Sequence, residues 1–164
     1  MVTHRQFGPI SGVPVGRVFN NRQELSVARV HRPTQAGISG SSQDGSDSIV
    51  LNGGYADDED HGDVIVYTGH GGQDGRGRQV RDQEVTDSGN AALKISFEEQ
   101  LPVRVIRGSS GDPKWSPSGL RLGRQPSVTR RGGHWPIPWW LPPGVRSARQ
   151  DHGFHLLERG HPPR

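Results

Sequence analysis

Glycine and proline are the residues that most restrict what this chain can fold into. Glycine occupies 24 and proline 13 of the 164 positions, and only 29% of the residues are hydrophobic. Both residues interrupt regular structure and favour turns, and a low apolar content limits the core that can be buried. The sequence therefore predicts a compact, strand-rich and loop-rich domain rather than a helical bundle.

Three segments have the pattern of β-strands, and one has that of a helix. Aliphatic and β-branched runs that end at glycine form SIVLNGGY and DVIVYTG, and apolar and charged residues alternate in LPVRVIRG. The segment TDSGNAALKISFEEQ predicts a helix capped by Asp87 or Ser88. Its imperfect apolar face consists of Ala91, Leu93, Ile95 and Phe97. The predicted fold class is α+β and dominated by strands.

Several classes of protein are disfavoured by what the sequence lacks. No apolar run reaches the ~20 residues of a membrane span, and the first residues lack the apolar core of a signal peptide. The chain has no cysteine, so it holds neither a disulfide nor a Cys-ligated zinc. These features predict an intracellular protein without membrane contact, and the lack of cysteine fits a reducing compartment.

The positive charge of the chain is concentrated in its C-terminal third. Residues 1–110 carry 11 Lys/Arg against 14 Asp/Glu, whereas residues 111–164 carry 9 against 3. Nine of the 13 prolines and all four tryptophans also follow residue 110. We therefore predict a domain over residues 1–118 and an irregular or disordered, basic, Pro/Arg/Trp-rich tail over residues 119–164.

The segment GGYADDEDHGDVIVYTG contains both tyrosines of the chain, with five carboxylates between them. Two rings facing each other suit a flat ligand, and a carboxylate at the end of the slot accepts from an amino group such as cytosine N4. Tyr55, Tyr67 and one of the acids could thus form a pocket for an extruded base. The alternative is that Tyr67 is a core residue, Tyr55 a turn residue and the acids a solvated loop.

A resemblance to a known family favours the first interpretation. The motifs FGPISGVPVG, VHRPTQAGISG, IVLNGGYADDEDHGD, YTGHGG and LPVRVIRG, in this order, resemble the SRA domain, also called the YDG domain. The resemblance covers roughly Phe7 to Gly108. It implies a twisted, barrel-like β-sheet with flanking helices and Gly-rich loops. It also implies binding of double-stranded DNA that contains 5-methylcytosine, with the modified base flipped into a pocket.

The resemblance implies a role for each matching residue of the pocket. Tyr55 and Tyr67 fall on the two aromatic positions that sandwich the flipped base. Asp58 falls on the carboxylate that reads its Watson–Crick edge, and Thr68 on the wall beside the methyl group. The backbone of Asn52, Gly53 and Gly54 is expected to close the pocket, since glycine there allows a ligand to come close.

Two loops are implied to contact the DNA. In VHRPTQAGISG, Gln35 lies nearest the tip that enters the minor groove. In GHGGQDGRGRQVR, Arg76 and Arg78 can reach bases or phosphates from the major groove. Because residues 1–110 have a net negative charge, DNA must be attracted by local arginines, of which Arg32 is a third candidate.

The chain also departs from the family pattern. Arg29 stands where related chains commonly have glycine, and Arg78 stands where animal members use a different polar residue. The Tyr-Asp-Gly motif that names the family is absent, and the tail does not resemble the closing strands. A reading-frame shift near Pro117 accounts for both absences, since codons for Gly119–Arg121 can be chosen that encode Tyr-Asp one base on. The alternative is a genuine, divergent tail.

No catalytic centre is predicted, and neither a cofactor nor a metal is expected. His61 with Asp57, Asp58 and Asp60 could bind a divalent metal, but such a group is more often a hydrogen-bonded loop. The sequence thus predicts a non-enzymatic, DNA-associated reader of 5-methylcytosine or 5-hydroxymethylcytosine, in the nucleoid or the nucleus. The alternative is the specificity part of a modification-dependent HNH restriction endonuclease with a fused or separate nuclease. A metal-dependent hydrolase is a third hypothesis.

Overall fold

The computed structural model describes residues 5–53, 58–62, 64–71, 74–76, 80, 84, 86–116, 119–122, 127–128 and 153–157. These residues form strands and two helices. In chain order the elements are β1 (Val18–Phe19), α1 (Arg22–Val27), β2 (Ile38–Ser41), β3 (Gly45–Leu51), β4 (Glu59–Asp60), β5 (Val64–Thr68), α2 (Ser88–Glu98), β6 (Arg104–Arg107), β7 (Leu120–Leu122), β8 (Ser127–Val128) and β9 (Gly153–Leu157).

The strands form two sheets. A five-stranded sheet has the order β1-β7-β6-β3-β2, and a four-stranded sheet has the order β4-β5-β9-β8. Among the described strands, β3 and β6 are the one parallel pair, and the connection between them carries β4, β5 and α2. Neither sheet closes on itself among the described residues, so the sheets are open rather than a complete barrel. The α+β, strand-dominated fold class with flanking helices is confirmed.

The core lies on both faces of β3, which is buried along its whole length. Because successive side chains of a strand point to opposite faces, Ile49 and Leu51 pack with Leu93 of α2, while Val50 packs with Leu25 of α1. A strand covered on both faces in this way has a nearly continuous apolar run, which SIVL supplies. The predicted strands are confirmed as β3, β5 and β6.

Helix α2 begins at the predicted position but buries a different face. Asp87 is its N-cap residue, although the Asp87 side chain makes no capping hydrogen bond. The buried positions are Asn90, Ala92, Leu93 and Ser96, whereas Ala91, Ile95 and Phe97 of the predicted face are only partly buried. The prediction was wrong there because it assumed an apolar face. Ser96 Oγ is buried and satisfied instead, since it bonds the backbone N and O of Ser46 at 2.7 and 2.9 Å.

Three described strands fall within residues 119–164, for which irregular structure was predicted. Strand β7 lies between β1 and β6, and its Leu122 is fully buried against Phe19 and Ile106. Strand β9 pairs with β5 from Val64↔Leu157 to Thr68↔Gly153. The irregular pattern therefore does not hold at these positions, because long-range pairing orders short segments that have weak patterns of their own. The domain boundary at residue 118 and the frame-shift hypothesis stay predictions.

Neither of the two described helices combines the length and the hydrophobicity that crossing a bilayer requires.

Candidate nucleic-acid interface

Strand β5 places its side chains on alternate faces, as its sequence predicts. Ile65 and Tyr67 are 0% and 4% exposed, and both belong to the core cluster that contains Leu51 and Leu93. Tyr67 is therefore a core residue, as the second of the two interpretations expected. Packing fixes the position of the ring, and its stacking on a base stays a prediction.

Asp58 lies just before β4, and its carboxylate is placed at the end of β5. Its Oδ1 accepts a hydrogen bond from the backbone N of Thr68 at 2.8 Å. The hydroxyl of Thr68 is buried, and within the described part of the chain it has no hydrogen-bond partner. Since buried polar atoms ordinarily find partners, a carboxylate and an unsatisfied hydroxyl at one strand end form a candidate polar site next to Tyr67.

The other described acids of this segment have different roles. Asp60 makes a two-point ion pair with Arg107, with distances of 2.7 and 3.0 Å, and both side chains are almost fully buried. Arg107 also donates to Gly62 O at 2.7 Å, so it ties β4 and the following turn to the end of β6. Glu59 and His61 form an exposed pair at 2.8 Å. Among the described residues, no group of three potential ligands is arranged to hold a metal.

Asn52 and Gly53 connect the end of β3 to this segment, and they pack against the chain that follows β6. Asn52 Oδ1 accepts from Ser110 N at 3.4 Å and leaves no room for a side chain at Gly108. Gly53 has a φ of 64°, and a Cβ there would lie 2.5 Å from Ser110 O. The close approach predicted at Gly53 is thus made by the protein's own backbone, and closure of the pocket stays a prediction.

Three residues of the expected interface lie outside the described residues. They are Gly54 and Tyr55 of the acidic segment and Arg78 of the second loop, and Asp57, which was named only as a metal-ligand candidate, also lies outside them. Their predicted roles, above all the second half of the aromatic sandwich, stay predictions.

The 32–37 loop, which runs from Arg32 to Gly37, is held at both ends. Ser26 Oγ donates to Arg32 O at 2.8 Å, and Arg22 Nη2 donates to Pro33 O at 3.3 Å and also to Ala36 O. Thr34, Gln35 and Ala36 are exposed between these anchors. Gln35 is thus exposed in this loop, and its entry into the minor groove stays a prediction.

Arg29, three residues before this loop, has a φ of 57°. That conformation is one that glycine adopts at little cost, which fits the expectation of glycine at this position.

A buried polar network connects this loop to the five-stranded sheet. His31 is fully buried, with Nε2 2.9 Å from Ala36 O and Nδ1 2.9 Å from Ser48 Oγ. Because a carbonyl can only accept, Nε2 carries a hydrogen. Burial lowers the pKa of His31 to about 4, although the hydrogen bond to Ala36 O opposes this shift. The loop is thus anchored by a neutral imidazole at neutral pH.

The network continues to charged groups on β3 and β6. Ser48 Oγ lies 2.9 Å from Asp47 Oδ1, and Asp47 pairs with Arg5 at 3.2 Å and with Arg104 at 3.5 Å. Arg104 also donates to the backbone oxygens of Gln6, Gly8 and Val30. Burial lowers the pKa of Arg104, while Asp47 raises it. Sequence reasoning missed this network, and its signal is the polar GSDS that begins a strand which is buried throughout.

The second loop is fixed to the start of α2. The Asn90 side chain accepts from His70 N at 2.7 Å and donates to His70 O at 2.8 Å. Further along, Arg76 N donates to Asp74 Oδ1 at 2.9 Å, and Arg76 is exposed. This places the Arg76 side chain at the surface, as a contact to DNA requires.

Comparison with known proteins identifies the class to which this fold and site belong. The family profile described as SAD/SRA domain matches residues 6–125, and the chain belongs to that family. Among curated relatives, the histone-lysine N-methyltransferase family member SUVH2 of Arabidopsis thaliana is 47% identical over 108 residues, which are 62% of this chain and 16% of SUVH2. The chain thus spans a small part of such relatives.

Comparison with solved structures finds the same fold in other proteins. The modification-dependent TagI restriction endonuclease is 44% identical with a TM-score of 0.79, over 94% of this chain and 53% of that chain. The SUVH5 SRA domain bound to fully hydroxymethylated CG DNA is 32% identical with a TM-score of 0.68, over 96% of this chain and 97% of that chain.

Proposed function

We propose that this chain binds double-stranded DNA containing 5-methylcytosine or 5-hydroxymethylcytosine and holds the extruded base beside Asp58, Tyr67 and Thr68. The observation that carries the proposal is the placement of the Asp58 carboxylate at the end of β5, within a fold shared with the DNA-bound SUVH5 SRA domain. A carboxylate accepts up to about four hydrogen bonds, so Asp58 can accept from Thr68 N and from cytosine N4 together.

The buried hydroxyl of Thr68 supports a ligand with a polar atom in this position. A hydroxyl without a partner costs stability on its own, and a bound group that hydrogen-bonds to it removes that cost. Tyr67, the preceding residue, is proposed to supply an aromatic ring at the same strand end, and a base that stacks on such a ring gains about 1–3 kcal/mol. Tyr55 is proposed as the opposite ring.

Attraction to DNA is assigned to local basic residues, because residues 1–110 carry more acids than bases. In this proposal, Arg76 and Arg78 contact the DNA from the major-groove side, and Arg32 and Gln35 contact it from the minor-groove side. Gln35 enters the duplex at the exposed tip of the 32–37 loop and fills the gap that the extruded base leaves. The SRA domain by itself acts as a binding module and not as an enzyme.

The experiment is a comparison of Asp58→Asn with Glu59→Gln. Binding of a methylated duplex and of its unmodified twin is measured by fluorescence anisotropy at one salt concentration. Asp58→Asn should weaken binding of the methylated duplex by about tenfold and leave binding of the unmodified duplex unchanged, because it removes the charged acceptor for the edge of the base. Glu59→Gln changes the neighbouring, exposed carboxylate and should leave both affinities unchanged. Equal losses on both duplexes would assign Asp58 a structural role only.

Extrusion is tested separately with 2-aminopurine next to the modified cytosine. Its fluorescence rises when the neighbouring base leaves the stack. Unchanged emission on binding would refute base flipping while leaving recognition of the mark intact.

A second function is favoured by the likeness to the TagI endonuclease, of which this chain covers 53%. In this proposal the chain is the specificity part of a modification-dependent restriction endonuclease with an HNH nuclease part. The full gene product or its neighbouring gene product is then tested for Mg²⁺-dependent cleavage of methylated plasmid. Cleavage that depends on both methylation and Asp58 supports this function, and binding without cleavage supports the reader alone.

A further inference from the structure

The end of the 32–37 loop is locked to the sheet by its backbone. Val50 N donates to Gly37 O at 2.8 Å. The preceding carbonyl, Ala36 O, accepts from both Arg22 and His31, and the His31 contact is 2.9 Å. The backbone around Gly37 therefore has little freedom to move relative to β3 and α1.

Gly37 also lies close to the hydroxyl of Tyr67, the ring that the proposed function assigns to the pocket. A Cβ at position 37 would lie 2.8 Å from Tyr67 Oη, and the next nearest atom, Val50 O, would be 3.9 Å away. The φ of Gly37 is outside the left-handed region, so its conformation does not require glycine. Among the described residues, the Tyr67 hydroxyl is the atom that would collide with a Cβ at this position.

We propose that Gly37 is a positioning residue that couples the 32–37 loop to the Tyr67 ring. The inference rests on the proposed function, in which the loop fills the gap in the duplex and the ring receives the base. Because the loop end is tied to the sheet and the ring is packed in the core, a displacement of one is transmitted to the other through this contact. The filling of the gap and the seating of the base are then mechanically linked.

A side chain at position 37 breaks this arrangement in a defined way. The backbone of Gly37 is held by three hydrogen bonds at residues 36 and 37, so the Tyr67 ring must tilt to make room for a methyl group. The ring is 4% exposed and surrounded by Ile38, Leu51 and Leu93, so the tilt also disturbs its packing. The substitution Tyr67→Phe removes Oη, and with it the collision with a Cβ at position 37, while it keeps the aromatic ring.

The test is a double-mutant cycle of Gly37→Ala and Tyr67→Phe, with the ratio of affinities for methylated and unmodified DNA as the readout. Gly37→Ala should reduce this ratio by about tenfold, close to no preference, while the affinity for unmodified DNA and its salt dependence stay the same. In the Tyr67→Phe background, Gly37→Ala should leave the ratio of that background unchanged. Gly89→Ala serves as the control for a general disturbance of this core, because a Cβ there meets Ile38 at 3.0 Å, and any loss that it causes should not depend on the Tyr67 hydroxyl.

A purely structural role for Gly37 gives a different result. In that case Gly37→Ala lowers both affinities together, or lowers the ratio equally with and without the Tyr67 hydroxyl, and either outcome overturns the coupling. An unchanged ratio in Gly37→Ala overturns it as well. If the wild-type protein itself shows no preference, the proposed function fails and the inference fails with it, so the two failures are distinguishable. Thermal unfolding of each variant verifies that the compared proteins are folded.

Discussion

Acid should destabilise this protein through His31, because the buried ring does not readily take up a proton. Burial is the main cause that lowers its pKa from the ordinary 6.5 to about 4, and Arg22 and Arg104 act in the same direction. Between these two pH values the unfolded chain binds a proton that the folded chain does not. The free energy of unfolding therefore rises with pH in this window. The contribution of His31 to stability is lost as the pH falls from 6.5 towards 4.

The two pKa values give the size of this effect. They predict a loss of about 2 kcal/mol at about pH 5 and about 3 kcal/mol once the pH is below about 4, relative to about pH 8. Urea unfolding of the wild-type protein and of His31→Gln at about pH 8 and pH 5 measures it, since glutamine retains a polar side chain without the titration. Equal pH dependence of the wild type and His31→Gln would refute the reasoning.

Three further predictions concern other parts of the chain. Arg107→Met leaves Asp60 buried without its partner and should lower the free energy of unfolding in urea by about 3–5 kcal/mol. Lys94→Met, at an exposed ion pair, should lower it by less than about 1 kcal/mol. Similar losses in the two variants would contradict the account. Arg76→Ala should reduce the slope of log affinity against log salt by about 1 without changing mark preference, and a lost preference would assign Arg76 to base readout. The frame-shift hypothesis requires an open frame encoding Tyr-Asp near Leu120, and a stop codon there ends it.

The strands with strong patterns could be predicted from the sequence. The aliphatic runs of β3 and β5 and the alternation in β6 are local signals. A continuous aliphatic run predicts a strand that is buried on both faces, and alternation predicts a strand that is buried on one face. The two-residue strands β1, β4 and β8 have no such signal, because they exist through pairing with distant partners. The same reason explains β7 in a segment that was expected to be irregular.

The candidate site was predictable only in part. The period of two in β5 placed Ile65 and Tyr67 on one face, and the resemblance selected Asp58 from five carboxylates. The pairing of Asp60 with Arg107 was beyond reach, because it joins residues 47 positions apart. The buried face of α2 was misjudged because Asn90 and Ser96 are satisfied by tertiary hydrogen bonds, which no helical pattern reveals.

The central claim is recognition of modified cytosine, and the affinity ratio of a methylated duplex and its unmodified twin tests it most directly. Both dissociation constants are measured at the same salt concentration, because phosphate contacts make the absolute values strongly salt-dependent. A methyl group in a fitted pocket contributes about 1–3 kcal/mol, so the account predicts that the methylated duplex binds about tenfold or more tightly. Equal affinities for the two duplexes would contradict it.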